Sequence, residues 1–133
     1  MEEKIAIYLI IEAKQASTHA YAPYSGLRVG AATIWASGKM YTGCNVENAS
    51  YGLTLCAERT AIAKAVSNGE RSLVAVAVAS DSRNIIRPCG ACLQVISEFA
   101  VDPDKVEVIS GCNGSEYDIF NLSSYLPKAF KYE

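Results

Sequence analysis

The sequence has one histidine, one tryptophan and no cluster of lysine or arginine that could track a phosphate backbone. Twelve basic residues against fourteen acidic ones leave a formal charge of -2. A polymeric nucleic acid is therefore disfavoured as a partner. Long apolar runs are also missing. The nearest, "IAIYLII" at residues 5–11, is far too short to cross a bilayer, follows two glutamates, and lacks a basic leader and a small-residue cleavage site. Neither a signal peptide nor a membrane anchor is expected, and a cytoplasmic location follows. There is no internal repeat, low-complexity stretch or convincing linker, so residues 1–133 read as one domain. The five cysteines, at 44, 56, 89, 92 and 112, do not make an even set and come without a secretory signal. A reducing compartment, where disulfides seldom persist, makes metal binding or catalysis the better use for them.

What is present is a chain that is 50% hydrophobic over 133 residues. That is enough for one core, with apolar surface left over for neighbouring subunits. Ile5, Leu9, Ala13 and Ala16 recur at helical spacing between Glu2 and about Thr18 and predict an amphipathic helix. After a break at Pro23 and Gly26, "LRVGAATIWASGKMYTGCNV" reads as two strands hinged at "SGK". "NVENASYGLT" is polar and reads as a loop. "LCAERTAIAKAVSNG" is a helix stopped at Asn68 and Gly69, and "SLVAVAVAS" is a strand buried on both faces. "PCGACLQVISEFA" resumes a helix with Pro88 in its first turn, "KVEVIS" and "EYDIF" are further strands, and "NLSSYLP" is a short last helix. Helices alternating with strands in this order imply one sheet covered by helices.

The chemistry concentrates at "RPCGACLQ", residues 87–94, and at "CAER", residues 56–59. Cys89 and Cys92 are one helical turn apart and can face one metal ion. Cys56 opens another helix. Helix starts present free N–H groups and a positive dipole end, which favour thiolate over thiol. Three cysteines without an obvious fourth ligand describe an open zinc site, where zinc lowers the pKa of water towards neutrality. Glu58, in the same first turn as Cys56, is then the natural proton shuttle. Zinc with three thiolates has a formal charge of about -1, so a nearby cation should support it. Arg59 is the candidate.

The pattern "CAE" followed by "PCGAC" matches the zinc deaminase signature in its three-cysteine form. With "GCNVENASYGLTLCAERTAI", "PCGACLQ", "YAPYSGLRVGAA" and "YLPKAF", nearly the whole chain resembles the small homotetrameric cytidine deaminases. The resemblance implies a three-layer α/β/α sandwich with a mixed five-stranded sheet and one Zn2+ per subunit. It also implies hydrolytic deamination of cytidine and deoxycytidine to uridine and deoxyuridine, in salvage of free pyrimidine nucleosides. By the same resemblance Glu58 moves the protons, Arg59 donates to the cysteine sulfurs, Asn45 and Glu47 bind the ribose hydroxyls, and the Ala57 backbone contacts the pyrimidine. Leu27 stands where the family often has phenylalanine; it keeps an apolar contact with the base and gives up an aromatic face. Phe130 resembles the C-terminal aromatic that reaches a neighbouring subunit's site in the homotetramer.

Other readings use the same residues. The CxxC pair could be a redox motif, though one with no need of a distant C-x-E. A closed structural zinc site could be completed by Cys44, Cys112 or His19, making the chain a non-catalytic interaction module with Glu58 on an exposed helix face. A deaminase of another aminated pyrimidine, such as a blasticidin-type antibiotic, would use different partners for Asn45 and Glu47.

Overall fold

The computed structural model describes residues 2–132. In chain order the elements are α1 (Glu3–Ser17), β1 (Val29–Trp35), β2 (Met40–Cys44), α2 (Ala57–Ser67), β3 (Leu73–Ser80), α3 (Gly90–Phe99), β4 (Glu107–Gly111), β5 (Tyr117–Asn121) and α4 (Leu122–Tyr125). The strands form one mixed sheet in the order β2-β1-β3-β4-β5. Only β3 and β4 run parallel, joined through α3; a parallel pair needs such a crossover, whereas β1–β2 and β4–β5 close as antiparallel hairpins.

The central strand β3 alternates by size. Ala75, Ala77 and Ala79 face α1, while Val76 packs on the opposite face with Ile62 of α2 and Leu93 and Ile96 of α3. The result is three layers, helix on both sides of the sheet, as expected for the resemblance. The alanine face lets α1 lie very close to the sheet: a Cβ added at Gly30 would sit 1.8 Å from the Ala13 carbonyl oxygen. The structure corrects the helical stripe expected from the sequence. The buried positions are Ala6, Leu9, Ile10, Ala13 and Ser17, and Ile5 is 40% exposed. Ala6, Leu9, Ile10 and Ala13 pack on the alanine face of β3, and Ile5 lies outside that stripe. On the other side Gly43 of β2 plays the matching part, since a Cβ there would meet the Ala61 nitrogen of α2 at 2.5 Å.

Strand directions bring distant segments together. Gly30 pairs with both Cys44 and Ala79, so the start of β1 and the ends of β2 and β3 share one edge of the sheet. Residues 18–28 enter β1 there, and the segments leading to α2 and α3 leave from there. Two expectations need amending. The segment after β2 is not a plain loop: Val46 bridges to Tyr21 and Leu55, and a 3-10 turn spans Tyr51–Leu53. Pro88 lies outside the first turn of α3, because extended Cys89 is the capping residue and Gly90 begins the helix.

Candidate active site and metal centre

Cys56 caps α2 and Cys89 caps α3, each in extended conformation, and Cys92 lies in the first turn of α3. Extended backbone at a cap turns the side chain back over the helix start, where unpaired N–H groups and the dipole favour a negative sulfur. The three sulfurs lie within 4.8 Å of one another, and Cys89 Sγ is 3.6 Å from Cys92 Sγ. Tetrahedral zinc with bonds of about 2.3 Å separates its sulfur ligands by roughly 3.8 Å. The donor set therefore fits zinc in both chemistry and spacing. Cys44, Cys112 and His19 are not part of this cluster. The Cys112 thiol instead donates to the Glu116 carbonyl at 3.5 Å, and His19 is exposed just beyond α1.

Cys56 and Cys92 are shifted in opposite directions. A hydrogen bond from Cys92, aided by Arg59, brings the Cys56 thiol down to about 5 against the opposing effect of burial. Cys92 is pushed up, first by its bond to Cys56 and then by burial. Arg59 donates from Nη2 to the Thr54 carbonyl at 3.1 Å and to Cys56 Sγ at 3.5 Å, so its cation rests against the thiolate, where the sequence placed it.

Glu58 is 4% exposed. A non-catalytic zinc module would leave it on an open helix face, and the structure buries it beside the cysteines. Burial, and then the Cys56 thiolate, push its carboxyl up to about 7, against the pull of its own backbone N–H, Cys92 and Arg59. Because the folded pKa is raised, the neutral acid's contribution to stability is complete below the ordinary value of 4.5 and is lost as pH rises through 7. Zinc-stripped Glu58→Gln is thus expected to melt above zinc-stripped wild type, with a gap that widens by about 5 °C between pH of about 5 and about 8. Calorimetry of the two proteins checks this, and a constant or shrinking gap would contradict it.

A cavity of about 240 Å³ opens over the cluster. Leu27, Asn45, Glu47, Ala57 and Glu58 line it together with the three cysteines. Arg59 stands behind the sulfurs. Phe130 is 74% exposed and is not among the residues lining this cavity; its backbone carbonyl accepts a hydrogen bond from Gln94 Nε2 at 3.1 Å. The sequence reading missed Ser25, Thr54 and Arg87, which also face the cavity. Ser25 had a local signal, a hydroxyl two residues before a backbone N–H that it accepts from, Leu27 at 3.0 Å. Arg87 had none, since its ion-pair partner Asp118 lies on β5, far along the chain.

The family model for the cytidine and deoxycytidylate deaminase zinc-binding region matches residues 3–109. This chain belongs to that family. A cytidine deaminase of Halalkalibacterium halodurans is 47% identical over 125 residues, which cover 94% of this chain and 93% of the relative. The crystal structure of cytidine deaminase from Burkholderia pseudomallei superposes with a TM-score of 0.87 at 43% identity, covering 98% of this chain and 100% of that one. Cytidine deaminase from Mycobacterium tuberculosis gives 0.81 at 38% identity, over 94% and 96% of the two chains. Family membership and the sulfur cluster together identify zinc as the cofactor of this deaminase-family chain.

Proposed function

We propose that the chain is a zinc-dependent deaminase that converts free cytidine and deoxycytidine, with water, to uridine and deoxyuridine and ammonia, serving pyrimidine salvage in the cytoplasm. The observation that carries this reading is a buried carboxyl, Glu58, set beside three converging sulfurs in a cavity of about 240 Å³ that Asn45 and Glu47 also line.

Zinc held by Cys56, Cys89 and Cys92 supplies, when bound, the Lewis acidity that brings the ionisation of water near neutral pH. Glu58 accepts a proton from the water that adds to the amino-bearing ring carbon and delivers it to the adjacent ring nitrogen. It then takes the proton of the hydroxyl so formed and gives it to the departing amine as the carbonyl forms and the C–N bond breaks. Burial, the leading cause of its upward shift, favours the protonated form that the donating steps need. Arg59 offsets the thiolate charge through its contact with Cys56. The Ala57 backbone and Leu27 seat the pyrimidine, while Asn45 and Glu47 receive the sugar hydroxyls. Glu47 gives selectivity because a sugar hydroxyl supplies a donor to the acceptor position that its three protein donors leave open.

Assembly as a homotetramer completes the reading, with Phe130 of one subunit reaching a neighbour's cavity. It is supported by apolar side chains left open on the 3-10 turn before α2, Tyr51 at 76% and Leu53 at 67% exposure. The test is direct. Purified zinc-loaded protein mixed with cytidine, and separately with deoxycytidine, should lose the cytosine absorbance and release one ammonia per base converted. A zinc-replete protein inert on both nucleosides would refute the assignment, and turnover confined to a blasticidin-type antibiotic would reassign the substrate.

A further inference from the structure

A short chain of hydrogen bonds within residues 24–47 links Glu47, Ser25, Leu27 and Asn45, all of which line the cavity. Glu47 Oε1 accepts from the backbone N–H groups of Tyr24 at 2.9 Å and Ser25 at 3.1 Å, and Oε2 accepts from the Ser25 hydroxyl. The same hydroxyl oxygen accepts from the Leu27 N–H at 3.0 Å. The Leu27 carbonyl in turn accepts from Asn45 Nδ2 at 2.9 Å, and Asn45 Oδ1 accepts from the Val29 N–H at 2.9 Å. Leu27 is thus held from both sides, by Ser25 at its N–H and by Asn45 at its carbonyl.

Acceptor arithmetic makes this a working arrangement. A carboxylate offers about four lone-pair positions. Three donors already occupy Glu47, leaving a single position on Oε2, the oxygen that Ser25 orients. Asn45 keeps one amide hydrogen free. The Ser25 hydroxyl bond is also the leading reason that the Glu47 carboxyl is held below its ordinary value.

We propose that Ser25 is a positioning residue that couples sugar recognition to base seating, its one hydroxyl fixing both the Glu47 carboxylate and the Leu27 backbone. The inference rests on the deaminase reading above. Without the hydroxyl, Oε2 gains freedom to turn away from the sugar, and the Leu27 N–H loses its acceptor. The loss falls hardest on substrates whose sugar has a hydroxyl to offer.

The test compares Ser25→Ala with wild type on cytidine and on 2′,3′-dideoxycytidine, which has no secondary hydroxyl for Glu47. On cytidine, KM is expected to rise about tenfold while kcat falls less than about threefold, the loss of one charge-assisted hydrogen bond. On dideoxycytidine the rise in KM should shrink to about threefold or less, because only the Leu27 contribution remains. Ser25→Thr, which keeps the hydroxyl, should recover most of the cytidine KM. If Ser25→Ala does not fold with zinc bound, Ser25→Cys keeps the atom count while donating weakly, and should show the same dependence on the sugar. Equal penalties on both nucleosides, or no change in KM, would overturn the coupling and leave the reaction standing. Wild type inert on cytidine would instead remove the reaction, and with it any part for Ser25 in it.

Discussion

Glu58→Gln is expected to hold its zinc and lose about 10³-fold in kcat on cytidine, in the middle of the range for a positioned acid–base group. Glutamine matches the shape of glutamate and can still accept hydrogen bonds. It cannot take up a proton from water and pass it on. The side chain is 4% exposed, so bulk water has little access to substitute for it. Burial also pushes its carboxyl upward, towards the protonated form that donates to the substrate. Zinc content by elemental analysis and single-turnover kinetics separate the steps. Full zinc with kcat lowered only a few-fold would show that another group carries the proton, and a variant without zinc would place Glu58 among the metal's supports.

A second large effect distinguishes two buried cysteines of similar exposure. Cys92→Ala is expected to reduce zinc to below about 0.1 per chain and activity by more than about 10³-fold, since zinc left with two thiolates loses the geometry of a three-ligand site. Cys112→Ala should retain both. Cys92 and Cys112 are 0% and 2% exposed, so a general cost of removing a buried thiol would appear in each. Only Cys92 lies in the sulfur cluster. Zinc bound to Cys92→Ala at one ion per chain would mean that the metal is held elsewhere.

The chemistry was legible in the sequence because its parts are local. Cys56 and Glu58 share one helical turn, Cys89 and Cys92 share another, and the dipole argument needs only to know where a helix starts. The burial of Glu58 was not legible: a glutamate in "CAER" has the same composition on an open face as in a cavity. The helix stripe of α1 was misjudged at Ile5 because hydrophobicity ranks isoleucine above alanine, whereas the buried face runs through Ala6, Leu9, Ile10 and Ala13. Strand order was hidden for a similar reason. It depends on β1 pairing with β2 and β3 at once, and nothing within a single strand announces its second neighbour. Asn45 and Glu47 were singled out through resemblance, yet their bonds to Leu27, Val29, Tyr24 and Ser25 emerge only when two separate segments meet. Arg87 with Asp118 is the extreme case, an ion pair between a loop and a strand thirty-one positions apart.

The bare backbone of Gly43 has a consequence that reaches beyond packing. It seats the first turn of α2 against β2, with the Ala57 carbonyl oxygen and the Ala61 nitrogen both within 3.0 Å of where a methyl would stand. Any side chain there would act as a wedge, tilting the helix and carrying Cys56, Glu58 and Arg59 away from α3 as one rigid piece. The aim of the proton donor at its target is therefore governed from beneath, by a hydrogen atom that never meets either of them.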